Sequence, residues 1–125
     1  DFFKSKKGLK LLNAIKRVAN IINIEDFKNE KKNNLNPHTK LFNSDEELRL
    51  YEDTKFYTKN NSNDYRALMK SLLFLVTPIE NFFDNVQIHH QNDSLRKNRL
   101  LLLLFVNNRV SKTISFYNLI KGSQK

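Results

Sequence analysis

The stretch "NFFDNVQIHHQNDSLRKNRLLLLLFV", residues 81–106, contains the end of one predicted helix, a turn and the start of another helix. Residues 100–106 are apolar for nearly two helical turns, and a helix that is apolar on every side is surrounded by other helices. Asn92 or Asp93 is the expected N-cap of this helix, which we predict to run roughly to Ser111. The stretch therefore predicts the central helix of an all-α bundle.

Two helices are predicted from residue 65 onwards, and the second of them is the helix that ends within this stretch. Apolar residues recur at three- and four-residue steps from Tyr65 to Val76 and again after Pro78. Thr77 and Pro78 are the expected N-cap and first residue of the second of these helices, because proline loses no needed hydrogen bond there. Pro78 therefore marks a kink or a restart of the helix. The apolar positions of these two helices are Leu68, Met69, Leu72, Leu73, Ile79, Phe82, Phe83 and Val86.

The first predicted helix covers residues 5–24 and has Ser5 as its expected N-cap. Its apolar positions include Leu11, Ile15, Val18 and Ile22, which share one helix face. At about 100° per residue, a row of cationic and amide side chains falls on the opposite face. Such a face can contact phosphates and base edges alike, although it can also be an ordinary solvated surface. The row consists of Lys6, Lys10, Asn13, Arg17 and Asn20.

The remaining segments complete a bundle of four to five main helices. Residues 25–44 are predicted to be a loop, with Leu41 and Phe42 returning to the core. Ser44 and Glu47 have the spacing of a capping box at the start of an acidic helix, along which a nucleic acid is not expected to lie. After residue 111, a separate C-terminal segment is expected to pack back on the bundle. Its apolar residues are Ile114, Phe116, Leu119 and Ile120.

Composition agrees with a helical domain and excludes several other classes. Only two Gly and two Pro occur in 125 residues, whereas sandwiches and barrels need many turns. Cysteine is absent, which excludes disulfides and cysteine-ligated zinc. The longest apolar run is far shorter than the ~20 residues that span a bilayer, and no signal peptide is evident. We expect a cytoplasmic protein with no membrane partner.

The net charge is the strongest global property of the chain. The 22 Lys and Arg against 13 Asp and Glu give +9, which suits a polyanionic partner. The alternative is that lysine-rich compositional bias produces this charge without functional meaning. Because the chain begins with Asp1 and its only methionine is Met69, we expect residues 1–125 to be a single helical domain from a longer protein.

Nothing in the sequence indicates catalysis or a metal site. His89 and His90 are adjacent and point apart on a regular element, and His38 is remote, whereas helical zinc sites use ligands that face the same way. There is no Gly-x-Ser-x-Gly motif, no cysteine nucleophile and no phosphate-binding glycine loop. We therefore expect no catalytic residue, metal or cofactor in this chain.

Asp84 occupies a helix C-terminus, where the helix dipole disfavours an acidic residue. Arg96 and Arg99 lie shortly after the turn, and a guanidinium can hold a carboxylate through two hydrogen bonds. We therefore predict that one of these arginines holds Asp84 and ties the two helices together. Direct recognition of a ligand by Asp84 is the alternative.

Three blocks of this sequence resemble the β subunit of bacterial-type glycyl-tRNA synthetase. "TPIENFFDNV" followed by "DSLRKNRL" resembles its C-terminal signature, "NAIKRVANII" its Lys-Arg-Val segment, and "ISFYNLI" its ending. The match covers residues 9–24 and 73–120. The family places here a helical anticodon-binding domain named for an Asp-Ala-Leu-Arg (DALR) motif, which this chain carries as Asp93-Ser94-Leu95-Arg96.

The resemblance implies a tRNA-binding module for the anticodon arm of tRNA-Gly. It assigns aminoacyl transfer, with ATP and Mg²⁺, to the α subunit of an α2β2 enzyme, while the β subunit holds the tRNA. Glycine anticodons end in two cytosines, whose amino groups suit carboxylate and amide acceptors such as Asp84 and Asn85. A helical protein–protein docking domain without RNA contact is the alternative. The expected RNA-binding residues are Lys6, Lys10, Asn13, Arg17, Asn20, Asn85, Arg96 and Lys97.

Overall fold

A computed structural model describes residues 4–24, 36–59 and 64–123. These residues form α-helices and one short 3-10 helix, and none of them lies in a β-strand, which confirms the all-α prediction. The side chains of Ile24, Tyr65, Phe116, Tyr117, Leu119 and Ile120 and of residues 121–123 lie outside this description. The elements are α1 (Lys6–Ile24), the 3-10 helix (Thr39–Leu41), α2 (Asp45–Tyr57), α3 (Tyr65–Leu73), α4 (Val76–Asn85) and α5 (Asp93–Ser123).

Helix α5 is the centre of the bundle, as its apolar run predicts. It contacts α1, α2 and α3, and residues 100–104 are all buried in the core. Phe82 of α4 is fully buried in the same core cluster, and its ring lies edge-on to that of Phe83 at 5.8 Å. Phe105 departs from the expectation that residues 100–106 are surrounded by other helices, because it is only half-buried. Its ring lies at the edge of the core, 5.0 Å from that of Tyr51.

The predicted helix starts are largely confirmed. Ser5 Oγ accepts a hydrogen bond from the Gly8 N–H (3.0 Å), and Ser44 Oγ accepts one from the Glu47 N–H (3.3 Å). The Glu47 carboxylate completes a modified capping box, because it accepts from the Asn43 N–H (3.3 Å) and the Ser44 hydroxyl (2.8 Å). The first turn of α2 is therefore fixed by side chains of its own segment.

Helix α4 begins two residues earlier than predicted. Leu75 is its N-cap and Val76 its first residue, so the prediction that Thr77 is the N-cap is wrong. The sequence rule failed by a small margin because Pro78 still lies in the first turn, where backbone N–H groups have no partner within the helix. The Leu75 N–H donates to the Leu72 carbonyl (3.0 Å), which makes a tight turn between α3 and α4.

Helix α5 runs without interruption to Ser123, so the prediction of a break after Ser111 is wrong. No proline or glycine occurs between Ser111 and Gly122, and the Thr113 hydroxyl is satisfied by donating to the Arg109 carbonyl (3.0 Å). Ile114 packs against the core, as expected. The side chains of the other predicted packing residues lie outside the described part of the chain; these are Phe116, Leu119 and Ile120.

Two arginines of α5 hold the two ends of α2. The Arg99 guanidinium is 3.5 Å from the Glu47 carboxylate in the first turn of α2, and both side chains are buried. Ten residues along α5, Arg109 donates from Nε to the Thr58 hydroxyl (2.9 Å) and from Nη2 to the Lys55 carbonyl (3.4 Å). Each end of α2 therefore receives a cation: one reaches an acidic first turn and the other a helix C-terminus, where cations are favoured.

Candidate nucleic-acid interface

A surface cleft of about 200 Å³ separates the exposed face of α1 from α4. Lys10 and Arg17 on α1 face Glu80 and Phe83 on α4 across it. Because α1 presents a polar row opposite its apolar face, the packing of α1 on the bundle leaves these cations at the surface. The complete lining is Lys10, Asn13, Ala14, Arg17, Ile79, Glu80 and Phe83.

Arg17 is oriented by an aromatic ring within this cleft. Its guanidinium carbon lies 4.2 Å from the centroid of the half-buried Phe83 ring, a cation–π contact. Phe83 is in turn packed against the core and is edge-on to Phe82. Arg17 is therefore a cation whose position is defined by the α4 side of the cleft.

A second, larger cleft of about 590 Å³ lies beside the α3–α4 turn. Lys10 and Glu80 line both clefts, so the two clefts are neighbours, and we call them together the α1–α4 groove. The second cleft adds cations from α1 and α3 and the exposed ring of Phe74. Its lining is Lys7, Lys10, Lys70, Leu73, Phe74, Val76, Thr77 and Glu80.

The structure brings three of the sequence-predicted residues together in the groove, namely Lys10, Asn13 and Arg17. Lys6 and Asn20 are exposed on α1 but do not line either cleft. The α1 residues of the groove are centred about 40° around the helix from the predicted row, at ~100° per residue. That rotation brings Lys7 into the groove and takes Lys6 out of it.

Four polar or exposed groove residues were not predicted from the sequence: Lys7, Lys70, Phe74 and Glu80. A signal for two of them was present, because Phe74 is an aromatic residue outside the apolar stripe of α3 and follows Lys70 by one helical turn. The approach of these residues to α1 depends on tertiary packing, for which a single sequence holds no pattern.

Arg96 and Lys97 lie at the start of α5, outside the groove. The Arg96 guanidinium donates to the Asp93 carboxylate (3.0 Å), and Lys97 Nζ lies 3.5 Å from the other oxygen of that carboxylate. The hydrogen bond from Arg96 is the main cause of a lowered pKa of Asp93, and Lys97 lowers that pKa further. Asn92 caps this helix through a hydrogen bond from the Leu95 N–H (3.2 Å), as predicted.

The predicted tie between Asp84 and the α5 arginines is wrong. Arg99 Nη1 donates to the Gln87 carbonyl (2.6 Å) and Nη2 to Asn43 Oδ1 (2.8 Å), so its guanidinium is directed to the turn and to α2. Arg96 pairs with its own helix, and Asp84 is exposed. The burial of Glu47 explains why Arg99 pairs with Glu47 and not with Asp84, because a buried carboxylate needs a cation more than an exposed one does.

Asn85 is exposed at the end of α4, where its Nδ2 donates to the Asn81 carbonyl (2.9 Å). It does not line the groove. The neighbouring turn is organised locally, since His90 Nδ1 accepts from the Asn92 N–H (2.9 Å).

Within the described ranges, no three His, Cys, Asp or Glu side chains are close enough to form a metal site.

Asn98 has a structural role that was not predicted from the sequence. Its side chain is buried and forms two hydrogen bonds with the backbone of His38, accepting from the N–H (2.7 Å) and donating to the carbonyl (3.0 Å). Adjacent residues Asn98 and Arg99 thus attach the 36–44 segment to α5.

No helix in the described part of the chain is long and apolar enough to cross a membrane.

The sequence pattern of the DALR anticodon binding domain matches residues 11–118, which include most of α1, all of α2, α3 and α4, and most of α5. The chain belongs to the DALR anticodon binding domain family. It is 37% identical over 109 residues to the glycine–tRNA ligase β subunit of Thermodesulfovibrio yellowstonii and 35% identical over 104 residues to that of Rickettsia bellii; each match covers 82% of this chain. A third β subunit, from Buchnera aphidicola, is 31% identical over 88% of the chain. The chain spans only 15–18% of the length of these relatives.

The DALR motif of this chain forms the first turn of α5. Its acidic residue, Asp93, and its arginine, Arg96, form a salt bridge with each other. An acidic residue in the first turn also interacts favourably with the helix dipole. Leu95 between them is half-buried. In this DALR domain the motif therefore defines how the central helix begins.

Proposed function

We propose that this chain binds the anticodon arm of tRNA-Gly as part of the β subunit of a glycine–tRNA ligase. The observation that carries the proposal is the α1–α4 groove, where four cations from two helices converge with two aromatic rings. Cations that neutralise phosphates supply most of the affinity of a nucleic-acid site, and aromatic rings hold unstacked bases. Family membership gives the anticodon as the RNA element. The cations of the groove are Lys7, Lys10, Arg17 and Lys70.

The site is a surface for binding, and we assign the chemistry of the ligase to another subunit. In this proposal, the α subunit of an α2β2 enzyme carries out aminoacyl transfer with ATP and Mg²⁺ in the cytoplasm. Residues 1–125 form one helical domain of the longer β subunit in this proposal. Its contribution to the reaction is to position the tRNA.

Of the residues predicted from the sequence, Lys10, Asn13 and Arg17 have the strongest support as RNA contacts because they line the groove together. Lys6 and Asn20 extend the same face of α1 at its two ends. A second contact region would comprise Asn85, Arg96 and Lys97 near the α4–α5 turn. Lys97 suits a phosphate contact, since half of its side chain is exposed beside Asp93.

Salt dependence tests the proposal quantitatively. Four phosphate contacts predict a slope of about −3 in log affinity against log salt, which is roughly a 50-fold loss between 50 and 200 mM salt. Contacts made elsewhere in the synthetase add to that slope, so the difference between variants is the informative quantity. Removal of each groove cation should make the slope less negative by about 0.7.

The variants Lys10→Ala and Arg17→Ala should weaken tRNA-Gly binding and flatten the salt dependence in the whole synthetase. Lys40→Ala is the matched control, because Lys40 is an exposed lysine that lines a different cleft beside the 3-10 helix. Filter binding or fluorescence anisotropy at several salt concentrations measures both quantities. Unchanged slopes and affinities for both groove variants would remove this groove from tRNA binding.

The alternative function, a protein docking domain, requires an apolar surface. The most exposed large apolar side chain in the described ranges is Phe74, at 62%, followed by Phe56, at 61%. Phe74 shares its cleft with Lys7, Lys10 and Lys70. An aromatic ring among three lysines suits a nucleic acid better than an apolar protein surface, because lysines are depleted at the centres of protein interfaces.

A further inference from the structure

Phe74 is an exposed ring that is held in a fixed position. It is the C-cap residue of α3, where its N–H donates to the Ser71 carbonyl (3.1 Å), and the next residue, Leu75, is fully buried. One face of the Phe74 ring stacks on Tyr57 of α2, with centroids 5.1 Å apart and planes 18° from parallel. Tyr57 is half-buried and packs against the core. Phe74 is 62% exposed, so the part of the ring that Tyr57 does not cover is available to a partner.

The surroundings of Phe74 suit a nucleotide. Lys7 and Lys10 of α1 and Lys70 of α3 line the same cleft as the ring, so three cations share the cleft with Phe74. The cleft volume of about 590 Å³ is within the range of roughly 300–1,000 Å³ that is typical of small-ligand sites. Its lining also includes the apolar side chains of Leu73 and Val76, which flank the α3–α4 turn and suit the face of a base.

The polar wall of the cleft has a defined hydrogen-bonding character. Glu80 of α4 is an exposed carboxylate and can only accept hydrogen bonds when it is ionised. Cytosine presents an amino donor to such a group, whereas uracil presents a carbonyl at the same position. The wall should therefore favour cytosine over uracil.

We propose that the α1–α4 groove holds one anticodon cytosine stacked on Phe74, in a three-ring arrangement with Tyr57 behind it. Lys7 and Lys70 bind the phosphates that flank this nucleotide. Glu80 accepts a hydrogen bond from the cytosine amino group and supplies the discrimination. This subsite rests on the proposed function and adds to it the residue on which the base stacks and the residue that selects the base.

The test uses the whole synthetase and tRNA-Gly transcripts in which one anticodon cytosine is replaced by the fluorescent analogue pyrrolocytosine. Stacking should quench the emission of one labelled position when the enzyme binds. Phe74→Ala should abolish that quenching and weaken binding by roughly 5- to 160-fold, from the value of base–aromatic stacking. Phe74→Tyr should retain both properties, because the ring is conserved.

Phe56→Ala is a closely matched control. Phe56 is exposed to the same extent, contacts the same Tyr57 edge-on at 4.9 Å, and does not line the groove. It should leave quenching and affinity unchanged. If Phe74→Ala behaves like Phe56→Ala, the stacking subsite is wrong. If Phe74→Ala instead weakens assembly of the synthetase without changing RNA affinity, the ring belongs to a protein interface and the subsite is also wrong.

The base preference is tested separately through Glu80. The unmodified enzyme should bind tRNA-Gly more tightly than a transcript in which the stacked cytosine is replaced by uridine, and Glu80→Ala should reduce that ratio at least several-fold. Because this change also removes a negative charge, it should strengthen binding of the uridine transcript. An undiminished ratio in Glu80→Ala would overturn the role of Glu80.

These outcomes are distinguishable from failure of the proposed function. Lys10→Ala and Arg17→Ala report on RNA binding by the groove as a whole. If they weaken tRNA binding while Phe74→Ala does not, the groove binds RNA without the subsite. If none of the three variants changes tRNA affinity, the proposed function and the subsite both fail.

Discussion

Replacing Arg99 should destabilise the domain more than replacing any exposed cation. Arg99 is 5% exposed and donates to the Gln87 carbonyl (2.6 Å) and Asn43 Oδ1 (2.8 Å), with the Glu47 carboxylate at 3.5 Å. Arg99→Met preserves much of the apolar stem and removes all three contacts. The charge of Glu47 is then left buried, because that residue is only 1% exposed.

The expected loss follows from these contacts. Breaking a buried ion pair by removing one partner costs about 3–5 kcal/mol, and each hydrogen bond to a charged group contributes about 1.5–3 kcal/mol. Glu47 keeps its hydrogen bonds from Ser44 and the Asn43 N–H, and it lies at the N-terminus of α2, so we expect the lower end, about 3 kcal/mol. That is a large share of the roughly 5–15 kcal/mol that stabilises a typical domain.

Urea unfolding followed by circular dichroism measures this loss, with an expected fall in the midpoint of at least about 1 M. Lys97→Met is the control, since Lys97 is a half-exposed cation on the same helix and should change the free energy of unfolding by under ~0.5 kcal/mol. Glu47→Gln should cost less than Arg99→Met, and the double variant should lose at least about 1 kcal/mol less than the sum. An Arg99→Met midpoint equal to that of Lys97→Met would refute the clamp, as would strict additivity.

Three other changes test the packing and the charges. Thr54→Val should raise the free energy of unfolding by about 1 kcal/mol, because the Thr54 hydroxyl is fully buried and has no hydrogen-bond partner among the described residues; a loss on urea unfolding would contradict this. Phe82→Ala should cost about 3–5 kcal/mol and Phe83→Ala clearly less, since only Phe82 is fully buried; equal midpoints for the two variants would contradict the packing. The Asp93 carboxyl should titrate by NMR below its ordinary pKa of 3.8, so its stabilising effect is complete above that pH and is lost as the pH falls through the folded-state pKa. Arg96→Gln should move that midpoint back up, and an unmoved midpoint would count against the hydrogen bond as its cause.

The apolar periodicity predicted the helices of this fold well because a single physical cause, the burial of one apolar face of each helix, produces that periodicity. An apolar stripe on α1, α3 and α4 and an apolar run on α5 each need a partner, and four such segments in a short chain leave few arrangements besides a bundle. Helix starts were also predictable, since caps such as Ser5 and Ser44 act within four residues. The exact start of α4 and the end of α5 depend on the turn and on neighbouring packing, and both predictions missed.

The partners of polar side chains were much less predictable. Arg99 bonds to Asn43, 56 residues earlier, and Asn98 bonds to His38, 60 residues earlier. Neither pair has any periodic relation in the sequence. Proximity in the chain favoured Asp84 as the partner of Arg99, whereas burial decided for Glu47. The groove was only partly predictable for the same reason. Its α1 side was identified from the sequence, whereas the opposing Phe74 and Lys70 approach α1 only through tertiary packing.

These assignments change what the net charge of +9 means for RNA binding. Arg99 is buried against α2 and Arg109 is bonded to the end of that helix, so two strong phosphate-binding side chains are used within the fold. The groove holds mainly lysines, which act as point charges and bind phosphates without fixing their geometry. Cations of this kind give affinity and salt dependence but little selectivity. In the proposed function, discrimination between anticodons must therefore come from groups that can face the bases, and the candidates in this groove are the amide of Asn13, the carboxylate of Glu80 and the aromatic rings beside them.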